Sequence, residues 1–473
     1  MMELERHDYN ALLKWKNKKD HLPILLRGLR QIGKSHLAER FAKEQYGEEY
    51  CPVLDFRHNE ALESLFKDEK GKKKIEVSHI IEGLKVMFPD KKIVKGKTCI
   101  VMDEVGDCPL ARESFKVFGK DSGYDIIATG SLLGLSQLNG QASDTPIGYE
   151  EYLDMTPLNF IEFLENSKVS KEAIDKIFEA TSNKSELPSA YHEVLSSHLH
   201  RYLIVGGMPE AVSHYLDTGN LSETRDILIR LRKDFEDDFG KKNNTSGELI
   251  IDPTLLVRTI RAYRSIPDQL AKENKKFKYS AIEGGGRSSQ FSDAIAWLEK
   301  TNIVALSHNL RAIETPLEGN AITEEFKLYP TDIGLLLSGY PSSIVQQILS
   351  GDIGAYKGAI YEGFVADALY KQHLPLYYYS DTKKHHENDF LLETKNGIVV
   401  IESKATNGKM ASAKALMMED SPYKVNKVYK VASSNFGQGS FYETIPQYIL
   451  PFLLNLFAKE MDEPVILKHL PPI

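Results

Sequence analysis

Cysteine is scarce in this sequence, and the few cysteines follow no metal-binding or disulfide pattern. The 473 residues contain three of them, Cys51, Cys99 and Cys108. An odd number without the close spacing of metal ligands argues against a disulfide framework and against a cysteine-based zinc site. We therefore expect free thiols in a reducing compartment.

Long hydrophobic runs are also missing. The most apolar stretch, residues 448–457, contains a proline, and it is much shorter than the ~20 apolar residues of a membrane span. The first residues, MMELERHDYN, are charged and lack the apolar core of a secretory signal. We expect no membrane segment and a cytoplasmic location.

The chain has no excess of positive charge. Its formal net charge is −8 and its isoelectric point is near 6.0, so no overall basic field favours nucleic acid, although a local basic patch stays open. Apolar residues make up 42% and charged residues 27% of the chain, as in ordinary globular proteins. Because 473 residues are too many for one core, we expect two or three domains.

Apolar stretches alternate with helical patterns over the first third of the chain. Strands are predicted at 22–27, 51–56, 98–104 and 125–131, with lysine-rich amphipathic helices over 60–95. This alternation predicts an α/β fold with a parallel sheet and crossover helices. Helical periodicity then dominates, and an α/β pattern returns in the last part of the chain. We place the domains at 1–155, 156–345 and 346–473.

The segment GLRQIGKS, residues 28–35, matches the phosphate-binding pattern G-x-x-x-x-G-K-[ST]. It follows a predicted strand and opens a predicted helix, which is the setting that the motif requires. Its backbone amides and the helix N-terminus would face the phosphates, Lys34 would contact the β- and γ-phosphates, and Ser35 would bind Mg²⁺. The predicted ATP-binding residues are Gly28, Leu29, Arg30, Gln31, Ile32, Gly33, Lys34, Ser35 and Ser131.

A second motif, CIVMDE, places Asp103 and Glu104 at the end of an apolar strand. Asp103 would hold Mg²⁺ through water, and Glu104 would orient or deprotonate the attacking water; a solvated strand end is the alternative. The strand DIIAT ends in Thr129, Gly130 and Ser131, where a polar side chain could sense the γ-phosphate or simply form a turn. We therefore predict Glu104 and Lys34 as catalytic residues, Ser35 and Asp103 as metal ligands, and ATP and Mg²⁺ as cofactors.

Blocks along most of the chain resemble a family of AAA+-like P-loop ATPases of bacteria and archaea that carry a C-terminal module of unknown function. In their order, these blocks are LPILLRGLRQIGKSHL, IVMDEVGDCP, ATGSLLG, PIGYEEYLDMTPLNFIEFL, YLIVGGMPEAV, FKLYPTDIGLLL, GAIYEGFVADAL and IESKA. The chain departs from the family at Gly106, where glutamine is usual, and at Tyr149, where a basic residue is usual. If that basic group aids turnover, hydrolysis would be weak here. Enzymes of this kind often borrow an arginine from a neighbouring subunit, which leaves a homo-oligomer open.

The C-terminal part carries Glu362, Asp389, Glu402 and Lys404 in the order of the PD-(D/E)xK nuclease signature. Clustered carboxylates can hold Mg²⁺ against a phosphate, and a lysine two residues along the same strand face can stabilise charge. The resemblance implies a restriction-endonuclease-like α/β fold for this module but does not establish cleavage. Two interpretations stay open, a competent metal site and an inherited scaffold used for binding.

Residues 288–310 look like the second helix and first wing strand of a winged helix, and the resemblance supports this interpretation. The segment has few basic residues, mainly Arg287 beside it and Lys300 within it. Packing between domains is therefore an equal alternative to DNA contact. Phe291, Ile295 and Leu298 are predicted to form the core face of the helix.

Three functions agree with these patterns. The leading hypothesis is a Mg-dependent ATPase that acts as a nucleotide-driven switch or motor on DNA or RNA. The alternatives are an ATP-regulated, metal-dependent nuclease and a slow-turnover ATP-binding protein that recruits a protein partner. The acidic net charge leans towards the last of these.

Overall fold

The computed structural model describes residues 2–57, 59–119, 122–131, 148–240, 252–273, 275–351, 353–381, 386–404, 410–418 and 421–462. Within these ranges the helices are α1 His7–Asn17, α2 Lys34–Tyr46, α3 Val77–Met87, α4 Pro109–Glu113, α5 Phe115–Phe118, α6 Phe160–Asn166, α7 Lys171–Asn183, α8 Ser189–Val205, α9 Pro209–Thr218, α10 Leu221–Phe239, α11 Pro253–Leu270, α12 Ser288–Lys300, α13 Ile333–Leu337, α14 Ser343–Ser350, α15 Lys357–Tyr370, α16 Ala411–Leu416 and α17 Leu450–Asp462. None of the helices in this described part is long and apolar enough to cross a membrane.

The first part of the chain forms a five-stranded sheet. Its strands are β1 Ile24–Gly28, β2 Val53–Asp55, β3 Cys99–Asp103, β4 Asp125–Ser131 and β5 Glu151–Met155, in the order β2-β3-β4-β1-β5. All neighbouring strands are parallel, so the α/β class and the four predicted strands are confirmed. The predicted helix pair over 60–95 is instead one 3-10 helix, Glu60–Phe66, and one α-helix, α3.

Both faces of this sheet are buried, because successive side chains along a strand point to opposite faces. In β1, Ile24 and Leu26 belong to one hydrophobic core, while Leu25 belongs to another on the opposite face. In β3, Val101 and Met102 divide in the same way. Two-sided burial explains why these strands read as continuous apolar runs rather than as alternating ones.

The strand order brings three loops together at one edge of the sheet. Strand β4 lies between β1, which leads into the phosphate-binding loop, and β3, which leads into the acidic pair. Parallel strands end at the same edge, and this edge is where ligands bind in open α/β sheets. The fold therefore places Gly28, Asp103 and Ser131 at neighbouring strand ends.

The second sheet has eight strands, in the order β12-β13-β11-β10-β9-β8-β6-β7. The strands are β6 Val304–Leu310, β7 Ala321–Pro330, β8 Tyr377–Asp381, β9 His386–Thr394, β10 Gly397–Ser403, β11 Val425–Ala432, β12 Gly437–Gln438 and β13 Glu443–Pro446. The helix predicted before β6 is α12, and its predicted core residues Phe291, Ile295 and Leu298 are buried.

The hairpin of β6 and β7 is not a free wing. One edge of β6 pairs with β7, and its other edge pairs in parallel with β8, where His308 lies opposite Tyr377. The predicted domain boundary near 345 falls between β7 and β8, so it cuts through a continuous sheet. We therefore propose that the C-terminal unit begins before residue 304.

A buried ion cluster joins the helical region to the C-terminal unit. It consists of Tyr202 on α8, Asp332 at the start of α13, Asp367 on α15 and Lys371 just after that helix. The Lys371 amine lies 2.8 Å from Asp332 Oδ2 and 2.7 Å from Asp367 Oδ1, and its side chain is 0% exposed. It also donates to the Tyr202 hydroxyl at 2.9 Å. Burial acts to lower the pKa of Lys371, but the two carboxylates outweigh it and raise this pKa.

Candidate nucleotide-binding site

The loop between β1 and α2 needs glycine at both ends. A Cβ atom on Gly28 would lie 2.3 Å from the carbonyl oxygen of Met155, and Gly33 has a φ of +87° at the start of α2. Gln31 is also left-handed, with a φ of 63°, an uncommon conformation for a residue with a side chain. The loop is thus held in a tight turn in front of a helix N-terminus, as a phosphate-binding loop requires.

Lys34 is folded back onto this loop. Its amine donates to the carbonyl oxygen of Leu29 at 2.8 Å and to that of Gly28 at 3.3 Å. Burial lowers the pKa of Lys34 to about 8, an effect that nearby Glu104 and Asp103 partly oppose and Arg30 reinforces. An anion in the loop would supply the negative charge that this buried amine lacks.

Asp103 connects the ends of three elements. Its Oδ1 atom accepts hydrogen bonds from the hydroxyls of Ser35 on α2 and Thr129 on β4, each at 2.5 Å. The carboxylate is buried, with 1% of the residue exposed. A serine hydroxyl beside a carboxylate is an oxygen pair that suits Mg²⁺, which binds few protein ligands and keeps several waters. The residues present therefore fit the predicted metal.

Glu104 has an unusual backbone conformation. Its φ and ψ are 53° and 56°, a left-handed conformation that costs a residue with a side chain on the order of 1–3 kcal/mol and tends to occur at functional sites. Its amide donates to the Thr129 hydroxyl at 3.1 Å, and its Oε1 atom accepts from the Ser131 amide at 2.9 Å. Glu104 is thereby positioned against β4, at the mouth of the loop.

Thr129 is the residue that the predicted contact set missed. The sequence pointed to the polar end of β4 and singled out Ser131, but the hydroxyl that bridges Asp103 and Glu104 belongs to Thr129. Ser131 contributes its backbone amide to Glu104. For Thr129, the only sign in the sequence was a threonine near the end of β4. The strand order shows why it matters, because β4 lies between β1, which leads into the phosphate-binding loop, and β3, which leads into the acidic pair.

The other loop residues divide into two kinds. Leu29 and Ile32 are buried in the core, so only their backbones can face a phosphate. Arg30, a predicted ATP-binding residue, donates to Asp238 on α10 at 2.6 Å. Gln31 makes a longer contact of 3.5 Å with Asp234 on the same helix. The loop is therefore joined to the helical region through polar contacts.

A small cavity lies between the loop and the helical region. Its volume is about 20 Å³, which is room for about one water molecule. It is lined by Gly28, Leu29, Arg30, Ser131, Phe235, Asp238, Phe239, Thr301 and Ile303. A change in the conformation of the loop would therefore act directly on the end of α10 and on the turn that follows α12, because both line the same cavity.

Of the two departures from the family pattern, only Gly106 lies beside this site. Tyr149 precedes β5, whose first residue, Glu151, pairs with Ile24 at the start of β1, so Tyr149 lies towards the opposite edge of the sheet. Gly106 belongs to a 3-10 turn, Val105–Asp107, directly after Glu104. Tyr149 is 45% exposed, and residues 132–147, which precede it after β4, lie outside the described residues. Neither residue is a partner in the contacts of Lys34, Asp103 or Glu104 given above.

The structure also brings the C-terminal set together. The Lys404 amine lies 2.7 Å from Glu402 Oε2 and 3.6 Å from Asp389 Oδ2, and Glu402 accepts from the Asn388 amide group at 2.8 Å. Burial, followed by the charge of Asp389, raises the pKa of Glu402 to about 7. Asp389, Glu402 and Lys404, three members of the predicted possible nuclease site, therefore lie together as an ion-pair cluster.

Glu362 is already occupied by cations. Its carboxylate accepts from Lys275, from Lys327 at 3.0 Å and from the Tyr329 hydroxyl at 2.6 Å. Burial acts to raise the pKa of Glu362, but Lys327 and Lys275 outweigh it and lower this pKa to about 2. A metal ion would have to displace two lysines from this carboxylate.

Among the described residues, no group of three or more histidine, cysteine, aspartate or glutamate side chains is arranged to hold a metal ion. In the C-terminal set, Glu362 is paired with Lys275 and Lys327, and Asp389 and Glu402 are paired with Lys404, so Mg²⁺ would have to displace these lysines. We expect the protein to cleave neither DNA nor RNA in a Mg²⁺-dependent way. The measurement is incubation of wild type and Lys404→Ala with linear DNA and with RNA, with and without Mg²⁺. Cleavage by wild type that Lys404→Ala loses would contradict this expectation.

Three family models match the chain. Residues 20–164 match a model described as an AAA domain. Residues 196–341 and 357–446 match two models described as domains of unknown function, DUF8612 and DUF4143 respectively. No curated protein matches the chain. The AAA domain match agrees with the strand order and with the loop, and together they support a nucleotide-binding P-loop ATPase in this part of the chain.

The chain also has distant similarity to solved structures. The Aeropyrum pernix ORC2 protein in ADPNP–ADP complexes is 11% identical, with a TM-score of 0.34, over 74% of this chain and 94% of that chain. AMPPCP-bound DnaA from Aquifex aeolicus is 13% identical, with a TM-score of 0.26, over 63% and 89%. The Pif1 helicase from Bacteroides, in complex with ADP-AlF3 and single-stranded DNA, is 14% identical, with a TM-score of 0.22, over 43% and 50%. The fold assignment rests on the strand order and the AAA domain match.

Proposed function

We propose that this protein is a Mg²⁺-dependent ATPase that acts as a nucleotide-driven switch. The main observation in support is that five residues lie together at one edge of the parallel sheet: Lys34, Ser35, Asp103, Glu104 and Thr129. This arrangement supplies a cation for the phosphates, a hydroxyl and a carboxylate for Mg²⁺, and a second carboxylate for water. When bound, Mg²⁺ would neutralise charge on the phosphates, with Ser35 and Asp103 as the residues that hold it.

The chain's own residues have separate tasks in this proposal. The loop amides from Gly28 to Ser35 bind the phosphates, and Lys34 leaves the carbonyl oxygens of Leu29 and Gly28 to contact them. Glu104 accepts a proton from the attacking water or orients it. Thr129, which touches both acids, keeps Glu104 and Asp103 in register with each other.

The switch part of the proposal is supported by the contacts of Arg30 and Gln31 with α10. Arg30 lies inside the phosphate-binding loop and is paired with Asp238. A phosphate in the loop competes with Asp238 for this guanidinium, because both are anions. Nucleotide binding and release would therefore break and restore the contacts that join the loop to α10. Through α10 the change would reach the helical region.

The binding step is tested with Lys34→Ala. Loss of a charged hydrogen bond to a buried group costs about 1.5–3 kcal/mol, so we expect the affinity for ATP to fall by about 10- to 150-fold. Lys43→Ala is the matched control, because Lys43 is on the same helix and its exposed side chain pairs with Glu39 at the surface. The measurement is equilibrium titration with a fluorescent ATP analogue. Equal affinity for wild type and Lys34→Ala would overturn the proposal.

The partner of the switch is tested with the ATPase rate of the wild-type protein. We propose that a nucleic acid is the object held or moved, and stimulation of turnover by DNA or RNA would support this. Tight ATP binding, negligible turnover and no response to nucleic acid would support the alternative, a nucleotide-binding protein that recruits a protein partner. The net charge of −8 favours that alternative, because binding of nucleic acid depends on positive charge that neutralises phosphates. The same experiment tests both.

A further inference from the structure

Arg57 places a cation at the carboxylate that would hold Mg²⁺. It follows β2, whose Asp55 lies opposite Asp103 in the sheet register. The Arg57 guanidinium donates to Asp55 Oδ1 through Nε and to Asp55 Oδ2 through Nη2, both at 2.9 Å. The same Nη2 donates to Asp103 Oδ2 at 2.7 Å. One guanidinium therefore connects two carboxylates on neighbouring strands.

Arg57 occupies the oxygen that Mg²⁺ needs. Asp103 Oδ1 already accepts from Ser35 and Thr129, so Oδ2 is the oxygen left to accept from water on a metal ion. Mg²⁺ and the guanidinium repel each other, and they would compete for this one atom. The Arg57 side chain is 49% exposed, whereas that of Asp103 is 2% exposed. The arginine can therefore swing outward, but the aspartate cannot.

We propose that Arg57 is the resident counter-ion of Asp103 in the nucleotide-free protein and that Mg²⁺ entering with ATP displaces it onto Asp55. This inference rests on the proposed function, since it concerns the same site. Arg57 is then a positioning residue that sets the Mg²⁺ concentration at which the site loads. It keeps the buried carboxylate of Asp103 paired until the metal arrives, and Asp55 already holds the guanidinium by two bonds.

The test is the Mg²⁺ dependence of nucleotide binding in Arg57→Ala. A fluorescent ATP analogue is titrated at a series of free Mg²⁺ concentrations, and the readout is the concentration that gives half of the Mg²⁺-dependent gain in affinity. Because the competing guanidinium is half exposed, we expect Arg57→Ala to need about 2- to 10-fold less Mg²⁺ than wild type. Arg57→Lys keeps a positive charge near Asp103 and should shift the requirement less.

Arg264→Ala is the control, because Arg264 forms a two-pronged ion pair with Glu236 on the surface of the helical region. It should keep the wild-type Mg²⁺ requirement. If Arg57→Ala binds the analogue with an unchanged or higher Mg²⁺ requirement, this inference is overturned while the ATPase proposal stands. If wild type does not bind the analogue at any Mg²⁺ concentration, the ATPase proposal fails and this inference falls with it.

Discussion

Glu104→Gln should reduce ATP turnover by about 100- to 10,000-fold, which is the range for loss of a general base. The amide has the same shape as the carboxylate and can still accept the hydrogen bond from the Ser131 amide. It cannot take a proton from water. The affinity for ATP should therefore stay within about threefold of wild type, because Lys34 and the loop are unchanged. Steady-state hydrolysis and equilibrium binding, measured on the same preparation, separate the two effects.

The matched control is Glu82→Gln, an equivalent change at an exposed position on α3 in the same unit. It should leave both turnover and binding unchanged. If Glu104→Gln hydrolyses ATP at the wild-type rate, then another group activates the water and the assignment of Glu104 is wrong. If it also loses ATP binding, the left-handed backbone at Glu104 has changed. Glu104 would then maintain the structure beside the phosphate-binding loop rather than activate water.

Lys371→Ala should lower the free energy of unfolding by about 3–5 kcal/mol, because it leaves two buried carboxylates without their cation. Asp332 and Asp367 both contact the Lys371 amine, and all three side chains are at most 2% exposed. The hydroxyl of Tyr202 also loses a donor. The measurement is urea-induced unfolding. The free energies of unfolding of wild type and variant are compared with the same dependence on urea concentration for both.

Lys357→Ala is the comparison for Lys371→Ala. Lys357 begins the same helix, α15, and is partly exposed, so its loss should change the free energy of unfolding by no more than about 0.5 kcal/mol. A loss below about 1 kcal/mol in Lys371→Ala would mean that the carboxylates find other partners or become protonated. The ion cluster would then not be what secures α15 to the helical region.

The nucleotide-binding part of the fold was predictable because its signals are local. The phosphate-binding loop is a run of consecutive residues, and the strands beside it are apolar on both faces, so β4 has the predicted bounds. The fifth strand, Glu151–Met155, was not predicted because it is an edge strand with mostly half-exposed residues. Its sequence, EYLDM, is too polar to be recognised without its neighbour β1.

The rest of the site depends on residues that are far apart in the sequence. Arg57 follows a short strand, and nothing near it in the sequence indicates that it reaches Asp103. The pairing of Arg30 with Asp238 joins residues that lie on different units. The cations on Glu362 come from Lys275 and from Lys327 on β7, which are 87 and 35 residues away from it in the sequence. Local patterns carry no information about such contacts.

The parallel pairing of β6 with β8 also has a consequence for the order in which the chain folds on the ribosome. The strands of the five-stranded sheet are all synthesised by residue 155, so this part can close while the remainder is still being made. The hairpin of β6 and β7 emerges much earlier than β8, β9 and β10, and until they follow it one edge of β6 has no partner. An unpaired edge strand invites association with other chains. The interval between residues 330 and 377 is therefore the stage of synthesis at which the nascent chain most needs protection.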